Sequence, residues 1–300
     1  MKTTVFKGAA TAIITPFKNN KIDYEKFAKL IEWQISEGIH AIVVCGTTGE
    51  SSTLTDEEHR AAIKFAVEQV NHRVPVIAGT GSNDTVYAIE LTKFACEVGA
   101  DAVLVVTPYY NKATQKGLIL SFTAIADAST KPVILYNVPS RTGCNILPET
   151  ALALAEHPNI VEIKEASGNI SQIASLAAMT RGKLDIYSGN DDQIVPVLSL
   201  GGKGVISVLS NPMPRATADI CNKFFAGDIE GSAKLQLDLL PLIDALFCEV
   251  NPIPVKAAMA AMGYTENSLR MPLTPMEEAH EKKMLDIMRD LNLIDKGASV

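Results

Sequence analysis

The chain has 300 residues, 47% hydrophobic and 20% charged, an ordinary globular composition with ample length for a large core. Its formal net charge of −7, with no Lys/Arg run, argues against nucleic acid and anionic membrane as partners. Five scattered cysteines without a CxxC pair, no secretory pattern before Pro16 and no apolar stretch of spanning length point to free thiols in a reducing, cytoplasmic setting.

Short apolar runs alternate with helical patterns along the chain. The first run is Ala9 to Pro16, followed by a predicted helix from Tyr24 to Ser36 that stops at Gly38. The second, Ala41 to Cys45, enters Gly46-Thr47-Thr48-Gly49-Glu50, and a helix follows from about Asp56 to Val70, with Thr55 as N-cap and Glu58 completing a capping box. The third run is Val74 to Ala78, leading to Gly79-Thr80-Gly81 and a helix from Asp84 to Val98. The fourth, Ala102 to Val106, ends in Thr107-Pro108-Tyr109-Tyr110 ahead of a helix over Lys116 to Ala128. The fifth, Val133 to Tyr136, leads to Asn137-Val138-Pro139-Ser140-Arg141, and a short helix starts at Pro148. The sixth carries Lys164 near its end; the seventh is Asp185 to Tyr187, before Ser188-Gly189-Asn190-Asp191; the eighth is Gly204 to Val208.

Eight apolar runs with helices between them are the signature of parallel βα units, and their continuous rather than alternating character fits strands covered on both faces. The expected fold is an α/β (β/α)₈ TIM barrel over residues 1–225, with 226–300 as a C-terminal helical unit. A doubly wound open sheet is the alternative; eight nearly equal units favour closure.

In such a barrel chemistry gathers where strands end, at the C-terminal face. Strand two delivers Thr47 and Thr48, strand four Tyr109 and Tyr110, strand five Tyr136 and then Arg141, strand six Lys164, and strand eight Ile206 and Ser207. Each alone has a plain reading: turn hydroxyls, a half-buried tyrosine, a solvated arginine, an edge lysine whose head reaches water. Their convergence on one face gives the lysine a second reading. Burial disfavours a charged amine, and a neutral lysine amine forms a Schiff base with a carbonyl. Lys164 would then condense with a 2-oxo acid, Thr48 would hold its carboxylate, and Tyr136 would carry protons as general acid and base. Thr47 and Tyr110 would extend a hydroxyl relay, and Arg141 would clamp a second carboxylate through its planar fork. Gly79-Thr80-Gly81 completes no dinucleotide fingerprint, Gly201-Gly202-Lys203-Gly204 precedes its strand and reads as a tight turn, and the histidines show no metal-ligand spacing.

Four stretches, Gly46 to Ser51, Pro108 to Lys112, Tyr136 to Gly143 and Ile163 to Gly168, resemble the dihydrodipicolinate synthase family. The likeness runs over almost the whole chain, with the stretches in order. The family belongs to a wider set of Schiff-base-forming barrels that includes N-acetylneuraminate lyase. The lysine and Tyr136 signals are common to that set, whereas Ser140-Arg141-Thr142-Gly143 is more specific. The resemblance implies condensation of pyruvate with L-aspartate 4-semialdehyde on the diaminopimelate route to lysine, with no external cofactor. It implies Lys164 as the Schiff-base residue, Tyr136 as proton donor and acceptor, Thr47 and Tyr110 as the relay, Thr48 and Ile206 as pyruvate contacts, and Arg141 as the clamp on the aldehyde substrate. It also implies a homodimer or homotetramer in which Tyr110 crosses to the neighbouring subunit.

Lysine-sensitive relatives bind the end product in a cleft between two subunits. Ser51, Ser52, His59, Asn83 and Tyr109 keep their pattern, but Asp56 stands where they have histidine and Tyr87 where they have glutamate. Weak or absent inhibition by lysine is therefore expected. A sugar-acid lyase and a pyruvate-binding barrel without activity are the rival readings of the chain.

Overall fold

The computed structural model describes residues 3–295; residues 1–2 and 296–300, the ends of the two expected units, lie outside the described residues. Among the described residues eight parallel strands close into a barrel in chain order. They are β1 Gly8–Ala12, β2 Ala41–Val44, β3 Val76–Gly79, β4 Ala102–Val106, β5 Val133–Asn137, β6 Ile160–Glu165, β7 Asp185–Ser188 and β8 Gly204–Ser207. Closure is made by β1 pairing with both β2 and β8, with Ala10 opposite Ala41 and Gly8 opposite Gly204. The architecture is thus the expected (β/α)₈ barrel, not the open sheet.

Helices α1 Tyr24–Ser36, α2 Asp56–Val70, α3 Thr85–Glu97, α4 Gln115–Ala128, α5 Pro148–Leu154, α6 Ile170–Met179, α7 Ile194–Ser199 and α8 Pro214–Phe225 cover the strands. Local chemistry sets where several begin. Asp23 caps α1 through the Lys26 N–H, and Thr55 and Glu58 form the reciprocal capping box of α2. β3 starts two residues later than the expected Val74. Pro75 has no N–H for the ladder, although its carbonyl accepts the Ile42 N–H at 3.0 Å.

The first run proves shorter than expected. Its strand ends at Ala12, and an unforeseen antiparallel hairpin follows, Phe17–Lys18 against Lys21–Ile22. Asn19 and Asn20 take left-handed φ values of 51° and 59°, as a two-residue hairpin loop demands.

Strand alternation divides the core. One set, including Ala10, Val43, Ile77, Leu104, Tyr136, Tyr187 and Ile206, fills the barrel interior; another, including Ile42, Val103, Leu135 and Ile163, packs under the helices. Phe6 seals the interior by stacking on Tyr187 at 4.3 Å between ring centroids. Helices α9 Ile229–Asp238, α10 Leu240–Leu246, α11 Ile253–Ala261 and α12 Glu278–Asp290 follow the barrel. No helix among the described residues is long and apolar enough to cross a membrane.

Candidate active site

Lys164 is the penultimate residue of β6 and only 6% exposed. Ile163 belongs to the outer core and Ala166 to the inner one, so alternation turns Lys164 inward. Its register partners are Tyr136 on β5 and Tyr187 on β7. The Lys164 Nζ lies 4.3 Å from the centroid of the Tyr136 ring. Gly189, just beyond β7, gives the lysine stem its room. A Cβ there would fall 3.1 Å from Lys164 Cε and 2.5 Å from Ala166 Cβ.

Above the lysine is a cavity of about 140 Å³ whose wall includes Thr47, Thr48, Tyr136, Ser140, Arg141, Lys164, Gly189 and Asn251. That is well under the roughly 300 Å³ at which drug-sized sites begin, and suits a small acid. A larger hollow of about 650 Å³ lies near Thr130, Asn159 and Lys183, at the opposite end of the strands. Barrel chemistry belongs to the other face, and the polar side chains that line this hollow among the described residues are half-buried or exposed.

The loop after β2 is held from two sides. Thr15 Oγ1 donates to the Gly49 carbonyl at 2.7 Å. Glu50, at a left-handed φ of 53°, reaches down to Lys256 of α11, with Nζ 2.5 Å from Oε1 and both side chains fully buried. Burial pulls the Lys256 amine below its usual range while Glu50 opposes that shift. The second Glu50 oxygen accepts the Arg270 N–H at 3.1 Å. Removing one member of such a pair strands a buried charge, at a cost of about 3–5 kcal/mol. Within this frame Thr48 is 3% exposed, and its Oγ1 accepts from Asn251 Nδ2 at 3.0 Å.

Arg141 sits in a helical turn, Pro139–Thr142, that Gly143 ends with a φ of 66°. Its Nη1 donates to the Asn251 carbonyl at 3.4 Å. The turn is anchored below by Asn137, whose Oδ1 accepts the Ile146 N–H at 2.9 Å and whose Nδ2 donates to Glu165 at 2.8 Å. Burial pushes the Glu165 carboxyl up, opposed by its bonds from Ser167 and Asn137.

The cavity therefore brings together five of the expected residues: Lys164, Tyr136, Thr47, Thr48 and Arg141. Tyr110 and Ile206 are placed elsewhere. Tyr110, four residues past β4, has a left-handed φ of 70° and is 93% exposed. Ile206 is wholly buried in the barrel interior, and Val208 takes its place on the wall.

Three residues were not foreseen. Gly189 lay in a polar stretch after the seventh run, which was a usable signal. So did Asp191, buried to 1%, whose Oδ2 accepts the N–H groups of Val208 at 3.0 Å and Leu209 at 2.8 Å. Burial raises its pKa, while its hydrogen bonds and Lys164 oppose the rise. Asn251 comes from the segment read only as a helical tail, and nothing in its neighbourhood marked it.

The family model for the dihydrodipicolinate synthetase family matches residues 5–291. The 4-hydroxy-tetrahydrodipicolinate synthase of Lachnoclostridium phytofermentans is 62% identical over 292 residues, covering 97% of this chain and 99% of its own. The one from Acetivibrio thermocellus is 55% identical over 294 residues, covering 98% of this chain and 100% of its own. Among solved structures, the chloride-inhibited dihydrodipicolinate synthase of Acinetobacter baumannii in complex with pyruvate is 45% identical. It superposes with a TM-score of 0.95, covering 97% of this chain and 100% of that one.

Proposed function

Because this chain belongs to the dihydrodipicolinate synthetase family, we propose that it is a lyase condensing pyruvate with L-aspartate 4-semialdehyde through a Schiff base on Lys164. The carrying observation is a buried lysine at a barrel strand end, against a tyrosine ring and beneath one small cavity edged by two threonines and an arginine.

The Lys164 amine adds to C2 of pyruvate, and loss of water leaves an iminium. Losing a methyl proton turns this into an enamine, with the nitrogen as electron sink. The enamine carbon attacks the aldehyde of the second substrate and forms the new C–C bond. That substrate's own amine then displaces Lys164 from C2, closing the ring as 4-hydroxy-tetrahydrodipicolinate and restoring the free lysine. Tyr136 carries protons to and from these centres, and its packing against the Lys164 amine supports the role. Thr48 holds the pyruvate carboxylate, with Ile206 supporting the wall from within. Arg141 takes the carboxylate of the semialdehyde, since a planar fork matches a carboxylate bidentately.

Thr47 and Tyr110 complete the proton relay in a homodimer or homotetramer, Tyr110 serving the neighbouring subunit. Its high exposure supports that reading, because it is not engaged by its own barrel. Residues 1–225 form the catalytic unit, and 226–300 a helical unit contributing Asn251 and Lys256. The test is one assay with pyruvate and aspartate semialdehyde, paired with borohydride reduction in pyruvate alone. Product must form and the added mass must sit on Lys164; a label on another lysine, or turnover only with a sugar-derived aldehyde, overturns the reading.

A further inference from the structure

Asn251 stands between the two side chains assigned to the substrates' carboxylates. Its Nδ2 donates to Thr48 Oγ1 at 3.0 Å, and its backbone carbonyl accepts from Arg141 Nη1 at 3.4 Å. The residue lines the cavity and is only 5% exposed, yet its Oδ1 has no hydrogen-bond partner among the described residues. Buried polar atoms are nearly always paired, and leaving one unpaired is costly. With Nδ2 tied to Thr48, the amide plane is set. Oδ1 is thereby left as a buried, unpaired acceptor on a residue of the cavity wall.

We infer that Asn251 is a specificity-determining residue of the second subsite, its Oδ1 accepting a hydrogen bond from the α-ammonium of the amino-aldehyde. This rests on the reading in which Arg141 takes that substrate's carboxylate. An α-amino acid carries ammonium and carboxylate on one carbon, so the groups that receive them must be neighbours, as Asn251 and Arg141 are. The other half of the amide serves the first substrate. A hydroxyl has one hydrogen, and Thr48 Oγ1 already accepts from Asn251. Its own hydrogen is left to point at an anion, here the carboxylate of the 2-oxo acid. A site with a buried acceptor discriminates strongly against an analogue lacking the matching donor.

The test uses the full-length enzyme at saturating pyruvate, as wild type, Asn251→Ala and Asn251→Asp. It compares kcat/KM for aspartate semialdehyde with the inhibition constant of succinic semialdehyde, the same chain without the ammonium. Borohydride trapping of pyruvate on Lys164 is read separately. Asn251→Ala should lower kcat/KM for the amino-aldehyde about tenfold or more while leaving the binding of succinic semialdehyde unchanged. Asn251→Asp keeps an acceptor but loses the donor to Thr48. It should hold the preference for the ammonium while raising KM for pyruvate. Equal weakening of both aldehydes in Asn251→Ala, or loss of the preference in Asn251→Asp, would overturn the assignment. The aspartate variant is nearly isosteric, so it decides the matter alone if the alanine variant does not fold. A wild-type enzyme that traps pyruvate yet does not condense aspartate semialdehyde overturns the functional reading and this assignment with it.

Discussion

The Lys164 amine packs on the face of the Tyr136 ring, 4.3 Å from its centroid, and the two residues are register partners on adjacent strands. Ring and hydroxyl therefore do separable work. Tyr136→Phe keeps the ring and its packing, so thermal stability and borohydride-trapped pyruvate adduct should stay near wild type. Loss of a positioned proton carrier should lower condensation by roughly 10²–10⁴-fold. Full turnover in the phenylalanine variant would reduce Tyr136 to a packing residue.

Among the described residues Arg141 is held at the cavity edge by one long side-chain hydrogen bond, to the Asn251 carbonyl, which leaves its fork free for a ligand. Arg141→Ala should impair aspartate semialdehyde use by roughly 30-fold or more, the range for losing a charged partner. Imine formation with pyruvate should be little changed. Arg141→Lys should recover little, because an ammonium cannot reproduce the planar fork. Equal damage to pyruvate trapping would instead mark Arg141 as a structural support of its loop.

Gly189 leaves room that any side chain would take from Lys164. Gly189→Ala places a methyl 2.5 Å from Ala166 Cβ and 3.1 Å from Lys164 Cε, so the lysine stem must shift. We expect a folded protein, destabilised by about 1–3 kcal/mol as for other overpacked sites. Its rate of trapping pyruvate should fall much further than its melting temperature suggests. Wild-type trapping would show that the lysine has slack.

Two residues below the lysine, Glu162 is fully buried and accepts the Val5 N–H at 2.6 Å and the Tyr187 hydroxyl at 3.1 Å. Burial pushes its carboxyl up from an ordinary 4.5 to about 8, with its two hydrogen bonds opposing and Asp185 assisting. An acid whose pKa is raised on folding stabilises the fold fully below its unfolded pKa and progressively less as pH rises through the folded one. The window here is pH 4.5 to about 8. Melting temperature followed from pH 5 to 8.5 should fall less steeply in Glu162→Gln than in wild type, because glutamine keeps the acceptor and cannot ionise. Parallel curves would mean Glu162 does not titrate in that window.

Asp56 and Tyr87, the two positions that depart from the pattern of lysine-sensitive relatives, contact each other. The Tyr87 hydroxyl donates to Asp56 Oδ1 at 2.9 Å, and Arg60 Nε donates to Oδ2 at 2.8 Å. The Arg60 bond holds the Asp56 carboxyl low, and burial, aided by Asp56, pushes the Tyr87 phenol up to about 12. A neutral phenol gives an α-ammonium no counter-charge, and the nearby carboxylate already has two donors. Losing one partner of a charge pair costs about 2–5 kcal/mol, or roughly 30-fold or more in affinity. Activity titrated with L-lysine should therefore show no half-inhibition below about 1 mM. Sub-millimolar inhibition would prove the substituted cleft competent. If inhibition is absent, Tyr87→Glu with Asp56→His is the pair to test for restoring it.

What could be read from the sequence is what local interactions decide. Continuous apolar runs announced strands buried on both faces, Thr55 and Glu58 announced a helix start, and polar residues just past strand ends announced the face that holds the small cavity. Lys164, Tyr136, Thr47, Thr48 and Arg141 were legible because a barrel brings all strand ends to one rim. The hairpin at Phe17–Ile22 escaped because strands of two residues are too short to show alternation, though Asn19-Asn20 carried the turn signal. The tertiary structure decided the rest. A left-handed turn after β4 sends Tyr110 outward, and the pleat buries Ile206 inside the barrel beneath the wall. Chain folding carries Asn251 across 203 positions to Thr48 and Lys256 across 206 to Glu50. Contacts of that separation leave no periodic trace, because each end obeys only its own helix or turn until the closed barrel brings the two together.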